Sequence, residues 1–182
     1  YMPEDMIAFM ELMKLETDTP SMVRADDGNG RDIGLTLSEM LERALLYEQH
    51  LEKYPDQVSS QAAQKLYEEV ATNAITGGYD KVTGTEHYYK GESSDVIDKD
   101  ALQYYQQFAK ANPESNLGKI VNDYADVLQK ASFRINDDIE EFYHGLYQRL
   151  QLASEHATTG STGDVNTGRS RMSTGSGSGM NT

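Results

Sequence analysis

The sequence contains no cysteine and no tryptophan. Without cysteine, the chain can form no disulfide and can offer no thiolate as a nucleophile or as a zinc ligand. It also lacks the run of roughly 18 apolar residues that a transmembrane helix requires. No basic segment is followed by a short apolar one, so no signal peptide is predicted within the sequence.

Basic residues are scarce relative to acidic ones. The chain has 30 Asp and Glu residues against 16 Lys and Arg, which gives a formal net charge of −14. A surface of this charge repels nucleic-acid phosphates and anionic lipid headgroups. The sequence therefore predicts no nucleic-acid partner and no direct membrane insertion. It is compatible with a basic protein partner or with bound cations.

Sequence motifs for common catalytic and nucleotide-binding sites are also missing. There is no Gly-x-x-x-x-Gly-Lys-Ser/Thr, no Gly-x-Gly-x-x-Gly and no Gly-x-Ser-x-Gly. The four histidines form no His-x-His or His-x-x-x-His pair. Among 30 carboxylates, any particular pair carries little information about acid–base catalysis. The sequence favours a non-catalytic function and predicts no cofactor.

What the sequence does contain is helical periodicity over residues 1–156. Apolar residues recur at intervals of three and four, and prolines, glycines and capping residues separate the periodic segments. The pattern predicts helices over residues 3–15, 36–54, 59–76, 95–111, 115–133 and 136–153, with a linker over 16–35. We therefore expect an acidic, all-α bundle of five or six helices.

Two helical hairpins, 36–76 and 95–133, are related by an apparent internal repeat. Shifting the sequence by 57 positions aligns 37 residues without a gap and gives nine identities. The identical pairs begin with Ala44 and Ala101 and include Tyr67 and Tyr124. This pattern predicts a duplicated hairpin, although two unrelated amphipathic helices can also match by chance.

Each hairpin has a helix that ends at a proline. The segments are Ala44-x-x-Tyr47-x-x-x-Leu51-x-x-x-Pro55 and Ala101-x-x-x-Tyr105-x-x-Phe108-x-x-x-x-Pro113. They resemble the helical hairpins of the tetratricopeptide class. The spacing of 57 residues departs from the 34 of that class.

Residues 157–182 have a different composition from the rest of the chain. Of these 26 residues, 17 are Gly, Ser or Thr. Such a segment cannot bury enough apolar surface to offset its ordering entropy, which predicts a disordered tail or linker. The sequence starts at Tyr1 rather than Met, and we expect that an upstream segment was removed, for which a signal, a lipid anchor and a tag are the alternatives. An extracellular or cell-envelope location is predicted, and the composition is also compatible with the cytoplasm.

Tyrosine is the most suggestive residue type, with 12 copies. Its ring combines a large apolar body with a polar tip, which suits recognition surfaces. Most of the tyrosines on the predicted helix faces are expected in the core: Tyr47, Tyr67, Tyr104, Tyr105, Tyr124, Tyr143 and Tyr147. Residues 77–94 have no helical period, and irregular segments of this length are often functional. We predict partner-binding residues there: Tyr79, His87, Tyr88 and Tyr89.

Two groups of side chains are weaker candidates for cation binding. The first is the turn that contains Asp26, Asp27, Asn29 and Asp32, whose spacing does not match a standard calcium loop. The second is Glu141-x-x-His144, which is half of the motif used by di-iron bundles. A second copy of that motif is missing, and the helical pattern places this pair opposite the apolar face.

Three functional hypotheses follow from these observations. The leading one is a non-catalytic binding or scaffold module of a bacterial secreted or cell-envelope protein that recognises a protein partner. The second is a helical domain that binds calcium or iron. The third is a carboxylate-based enzyme that uses the loop at 77–94.

Overall fold

The computed structural model describes residues 1–152, and the predicted tail lies outside them. The described part of the chain contains six helices and one short β-hairpin. The elements are α1 (Glu4–Asp18), β1 (Met22–Arg24), β2 (Arg31–Ile33), α2 (Leu37–Lys53), α3 (Ser60–Thr76), α4 (Lys99–Ala111), α5 (Asn116–Lys130) and α6 (Asp137–Arg149). The prediction of a helical bundle of five or six helices is confirmed.

The first helical hairpin, α2 and α3, begins and ends at clear local signals. The backbone N–H of Thr36 donates to the Glu39 carboxylate, and the Thr36 side chain accepts from the Glu39 N–H. This capping box satisfies two backbone donors that a helix start leaves unpaired. Pro55 follows the end of α2, and α3 ends at Gly77 in the left-handed conformation, with φ of 57°.

The two hairpins pack on each other, and α1 and α6 cover their outer sides. Helix α2 packs against α3, α4 packs against α5, and α2 also contacts α4 and α5. Helix α6 lies against α3 and α5, whereas α1 contacts α2. The buried apolar side chains of α2 to α6 form one continuous core, and Phe9 and Leu12 of α1 pack against it partly buried. The first turns of α2 and α4 lie at the same end of the bundle and line a common depression.

Equivalent positions of the two hairpins agree in part. Tyr67 and Tyr124 are both fully buried, and Ala44 and Ala101 are both in the core. The exposure of the next tyrosine pair differs, since Tyr47 is buried and Tyr104 is 47% exposed. The architecture of paired hairpins agrees with a duplication, which itself stays a prediction.

The predicted linker over 16–35 is more ordered than expected. Helix α1 continues to Asp18, and the strands β1 and β2 then pair antiparallel, with Met22 opposite Ile33. Both of these residues are buried against the core. Glu16 holds the hairpin in place because it accepts the backbone N–H and the hydroxyl of Ser21, and it also pairs with the Arg43 guanidinium. Tertiary packing therefore orders a segment whose local sequence contains mainly turn residues.

Helix α4 begins four residues later than the predicted start at residue 95. Val96 pairs with Arg134, and the backbone N–H of Ile97 donates to the Phe133 carbonyl at 2.8 Å. These backbone bonds require an extended chain, so the helix starts only after Asp98, whose side chain caps it. The second hairpin consequently has a shorter first helix than the first.

No helix among the described residues is both long and apolar enough to cross a membrane.

Candidate functional site

His87 anchors the α3–α4 connection, residues 77–98, to the helical core. Its side chain is 1% exposed and lies against Gly77 so closely that a Cβ atom there would be 2.6 Å from the imidazole ring. The backbone N–H of Tyr89 donates to His87 Nδ1 at 3.1 Å, which assigns the proton of the neutral ring to Nε2. Burial lowers the pKa of His87 to about 4, and the Ile75 carbonyl offsets only part of this effect.

The ring of His87 belongs to a cluster of aromatic side chains. It lies 5.7 Å from the Tyr89 ring and 6.5 Å from the Tyr143 ring, measured between centroids. Tyr143 in turn contacts Tyr124, and their hydroxyls share a hydrogen bond of 2.8 Å. These contacts fix the backbone of the connection, including the residues on either side of His87.

The four predicted partner-binding residues occupy three different environments. His87 is in the core and cannot contact a partner. The Tyr79 hydroxyl donates to Glu140 at 3.2 Å, and its ring lies beside Tyr143 in a small depression. Tyr88 and Tyr89 instead line the depression at the first turns of α2 and α4. The structure therefore brings two of the four predicted residues, Tyr88 and Tyr89, together in one depression.

This depression, the tyrosine groove, is a surface concavity that two of the predicted residues line. It has a volume of about 640 Å³ and lies between residues 34–39, residues 88–90 and the start of α4. Tyr88 and Tyr104 contribute the most exposed rings, at 56% and 47%. The Tyr88 ring stands at 88° to the Tyr89 ring, with 5.4 Å between their centroids, so the pair adopts the favourable edge-to-face arrangement.

Carboxylates surround the tyrosine groove. Glu39, Asp98 and Asp100 line it, and Lys90 is the single basic residue among the lining residues described. Glu39 and Asp98 also serve the helix starts, since Glu39 accepts from the Thr36 N–H and Asp98 accepts from the Asp100 N–H at 2.9 Å. Lys90 Nζ is paired with Glu86 at 2.6 Å. The groove is thus an aromatic surface with a negative border.

Tyr104 was predicted in the core, and its exposure corrects that prediction. Tyr104 and Tyr105 are neighbours on α4, separated by about 100° around the helix axis. Tyr105 is fully buried and its hydroxyl donates to the Ala74 carbonyl at 2.8 Å, which leaves Tyr104 on the outer side. Tyr147 on α6 is likewise 66% exposed. The helical spacing of apolar residues in the sequence cannot show which of two adjacent tyrosines is buried and which is exposed.

The cation candidates lie apart from the tyrosine groove. Asp26, Asp27 and Asn29 are exposed on the β1–β2 turn, where the Asp27 side chain accepts the Asn29 N–H at 2.8 Å, and Asp32 is exposed in β2. Glu141 and His144 are exposed on the outer side of α6. Among residues 1–152, no group of three or more His, Asp or Glu side chains is arranged to hold a metal ion. Cation binding by these residues stays a prediction.

A buried Ser, His and Asp lie in contact, which the sequence motifs did not indicate. His50 Nε2 is 2.9 Å from Ser59 Oγ, and the Ser59 hydroxyl donates to the Asp5 carboxylate at 2.9 Å. In a nucleophilic triad the histidine must accept the serine proton. Here the Ser59 hydroxyl donates its hydrogen bond to the Asp5 carboxylate, so Ser59 Oγ accepts a hydrogen bond from His50 Nε2. All three residues are at most 5% exposed, so the cluster connects α1 to the α2–α3 turn and is no nucleophilic centre.

The chain was compared with known protein families, curated proteins and solved structures. No protein-family model, curated protein or solved structure matches the chain.

Proposed function

We propose that this domain is a non-catalytic binding module that holds a segment of a protein partner in the tyrosine groove. The observation that carries the proposal is the pair of exposed rings, Tyr88 and Tyr104, in one concavity of about 640 Å³. Tyrosine is enriched in protein interfaces because its ring loses little conformational entropy on binding. The Gly, Ser and Thr-rich sequence of residues 157–182 is typical of linkers, and we propose a secreted or cell-envelope setting for the module.

The walls of the groove are held by backbone hydrogen bonds, which favours binding without rearrangement. The Tyr88 N–H donates to the Gly77 carbonyl at 2.7 Å, and the Asp98 N–H donates to the Tyr89 carbonyl at 2.8 Å. The other two walls are the first turns of α2 and α4, both with side-chain caps. A preformed site reduces the ordering entropy that binding must overcome.

The chemistry of the groove favours binding over catalysis. Two of the carboxylates in the groove, Glu39 and Asp98, already accept hydrogen bonds from backbone N–H groups at the starts of α2 and α4. No histidine is among the described lining residues, and the buried His87 is separated from the groove by its neighbours in the chain. The exposed rings and the fixed backbone can supply contact area and orientation, which are the requirements of recognition.

Peptide selection tests the proposal. A random peptide library is panned against the immobilised full chain, and the affinity of selected peptides is measured by fluorescence anisotropy. Truncation of an aromatic side chain that acts as an interface hot spot removes about 2 kcal/mol or more, and we expect Tyr88 and Tyr104 to be the hot spots of the groove. We therefore expect the double variant Tyr88→Ala, Tyr104→Ala to bind the selected peptides at least about tenfold more weakly than the unmodified chain.

Tyr147→Ala is the matched control, because Tyr147 is also exposed, at 66%, but lies on α6, outside the groove. It should retain full affinity, and both variants should show unchanged helical circular dichroism. Selection of no peptide at all would contradict the proposal. So would peptides that bind the groove variant and the control equally well.

A further inference from the structure

We propose that the segment bound by the tyrosine groove is extended and basic, and that it is recognised through arginine side chains. This inference rests on the proposed function and specifies the chemical class of its ligand. The groove combines two features that arginine satisfies together, namely exposed aromatic faces and nearby carboxylates.

The charge distribution argues for a cationic ligand. Three carboxylates, on Glu39, Asp98 and Asp100, line the groove, and the one lining cation, Lys90, has its charge balanced by Glu86 at 2.6 Å. The two helix starts carry partial positive charge, but Glu39 and Asp98 already accept hydrogen bonds from their backbone N–H groups. The surrounding surface adds to the negative potential, since the whole chain has a net charge of −14. An acidic segment would be repelled on approach.

The aromatic rings select among cations. Tyr88 and Tyr104 each expose about half of their surface, which leaves room for a cation over a ring face. A guanidinium group is planar, is weakly hydrated and can stack on an aromatic ring while it donates two hydrogen bonds to a carboxylate. A lysine ammonium is more strongly hydrated and cannot form the two parallel bonds. We therefore expect arginine to bind more tightly than lysine.

An extended conformation follows from the shape of the site. The groove runs between two helix starts and one loop, and the backbone N–H groups of Gly34, Tyr88 and Tyr89 in its walls already have acceptors within the domain. The side chains of the ligand therefore contact the tyrosine rings and carboxylates of the groove, and the ligand backbone needs no hydrogen bonds to the domain. A segment rich in proline keeps such an extended shape at low entropic cost.

The carboxylates can be neutralised without disturbing the helix starts. Glutamine replaces glutamate in a capping box, so Glu39→Gln retains the bond to Thr36. Asparagine is as good an N-cap as aspartate, so Asp98→Asn retains the bond to the Asp100 N–H. Asp100→Asn changes an exposed side chain on the first turn of α4. The triple variant therefore removes charge and leaves the fold intact.

The experiment uses three fluorescein-labelled peptides of equal length, in which proline alternates with arginine, lysine or glutamate. Each is titrated with the full chain at about 0.15 M ionic strength, where the Debye length is about 8 Å. We expect the arginine peptide to bind several-fold more tightly than the lysine peptide, and the glutamate peptide not to bind. The triple variant Glu39→Gln, Asp98→Asn, Asp100→Asn should lose about tenfold in affinity for the arginine peptide, because each exposed ion pair makes a modest contribution and three are removed.

A second triple variant separates local recognition from general attraction. Glu11→Gln, Glu114→Gln and Asp126→Asn change the net charge by the same amount at exposed positions outside the groove. This control should lose less than about twofold, because charges farther apart than the Debye length are screened. Equal losses in the two triple variants would overturn the inference, as would equal binding of the arginine and glutamate peptides.

The library selection described above keeps the two proposals distinguishable. Selected peptides that need Tyr88 and Tyr104 but are not enriched in arginine would support the binding module and overturn the arginine inference. The absence of any groove-dependent peptide, including the arginine peptide, would overturn both.

Discussion

Single polar residues in the interior of this protein are matched to backbone donors of neighbouring helices, and Glu48 is the clearest example. Its side chain is fully buried. The carboxylate accepts from the backbone N–H groups of Asn116 and Leu117, at 2.6 and 2.8 Å, and from the Tyr67 hydroxyl at 2.9 Å. These N–H groups belong to the first turn of α5, which has no intrahelical acceptor for them. Glu48 thereby links α2, α3 and α5.

Loss of the Glu48 carboxylate should be costly. Glu48→Ala leaves two backbone N–H groups and a hydroxyl in the interior without their acceptor, and it creates a small cavity. We expect the free energy of unfolding at pH 7 to fall by about 3 kcal/mol, measured by urea denaturation. Glu52→Ala, at an exposed position one turn further along α2, is the control and should change it by less than about 0.5 kcal/mol. Equal effects of the two substitutions would show that Glu48 does not cap α5.

At the scale of elements, two glycines inside helices have opposite roles. Gly118 lies in the first turn of α5, where a Cβ atom would be 1.9 Å from the carbonyl oxygen of Asn112. Gly145 lies in α6, and a Cβ atom there would have no described neighbour within 4 Å. The first glycine permits the tight turn between α4 and α5. The second, Gly145, lowers the stability of α6 because glycine is an unfavourable residue inside a helix.

Alanine substitution should therefore move stability in opposite directions at these two sites. Gly118→Ala forces the α4–α5 turn to shift, because its obstacle is a backbone atom, and we expect a loss of more than about 2 kcal/mol. Gly145→Ala should raise the free energy of unfolding by about 0.5–1 kcal/mol, since alanine favours the helix. Thermal unfolding followed by circular dichroism measures both. A stable Gly118→Ala variant would refute the geometry assigned to this turn.

The helices were predictable because their signals are local. Thr36 with Glu39, Pro55, Pro113 and the cap at Asn136 each act within a few residues, and the structure has a helix boundary close to each of them. The failures are non-local. The β1–β2 hairpin depends on burial of its ends against the bundle, and the late start of α4 depends on pairing with Phe133 and Arg134, which lie over 30 residues away in the sequence.

The candidate site was predictable only in part for the same reason. Two residues of the irregular, tyrosine-rich segment at 77–94, Tyr88 and Tyr89, line the groove, and partner binding by them stays a prediction. The sequence could not show that the His87 side chain would be buried in the core, whereas the two residues that follow it line the groove. Tyr104 and the first turn of α2 reach the same groove only because α2 and α4 begin at one end of the bundle. Such convergence is a property of the packed fold.

At the scale of the whole molecule, charge and aromatic packing act in different places. The chain has a net charge of −14, which gives its surroundings a negative potential. The 77–98 connection is held to the bundle by aromatic contacts, with the neutral His87 ring at their centre. The geometry of the tyrosine groove therefore depends on a buried imidazole that must remain uncharged.

This dependence predicts a specific loss of stability in mild acid. In the folded state burial holds the pKa of His87 at about 4, whereas the ordinary value is 6.5. The unfolded chain therefore binds the proton first, so the contribution of His87 is present above pH 6.5 and is lost as the pH falls toward 4. Between pH 7 and pH 5 we expect this residue to lower the free energy of unfolding by about 2 kcal/mol.

His87→Phe retains an aromatic ring but cannot take up a proton, so it isolates this contribution. The difference in unfolding free energy between pH 7 and pH 5, from urea denaturation, should be smaller in this variant by about 2 kcal/mol. Tyr143→Phe, in the same aromatic cluster, should retain the full difference because tyrosine does not titrate in this range. The His87 ring resonances, followed by NMR, should titrate below pH 5. Identical pH differences in the original chain and His87→Phe would mean that acid acts elsewhere, and that the 77–98 connection does not rely on a neutral histidine.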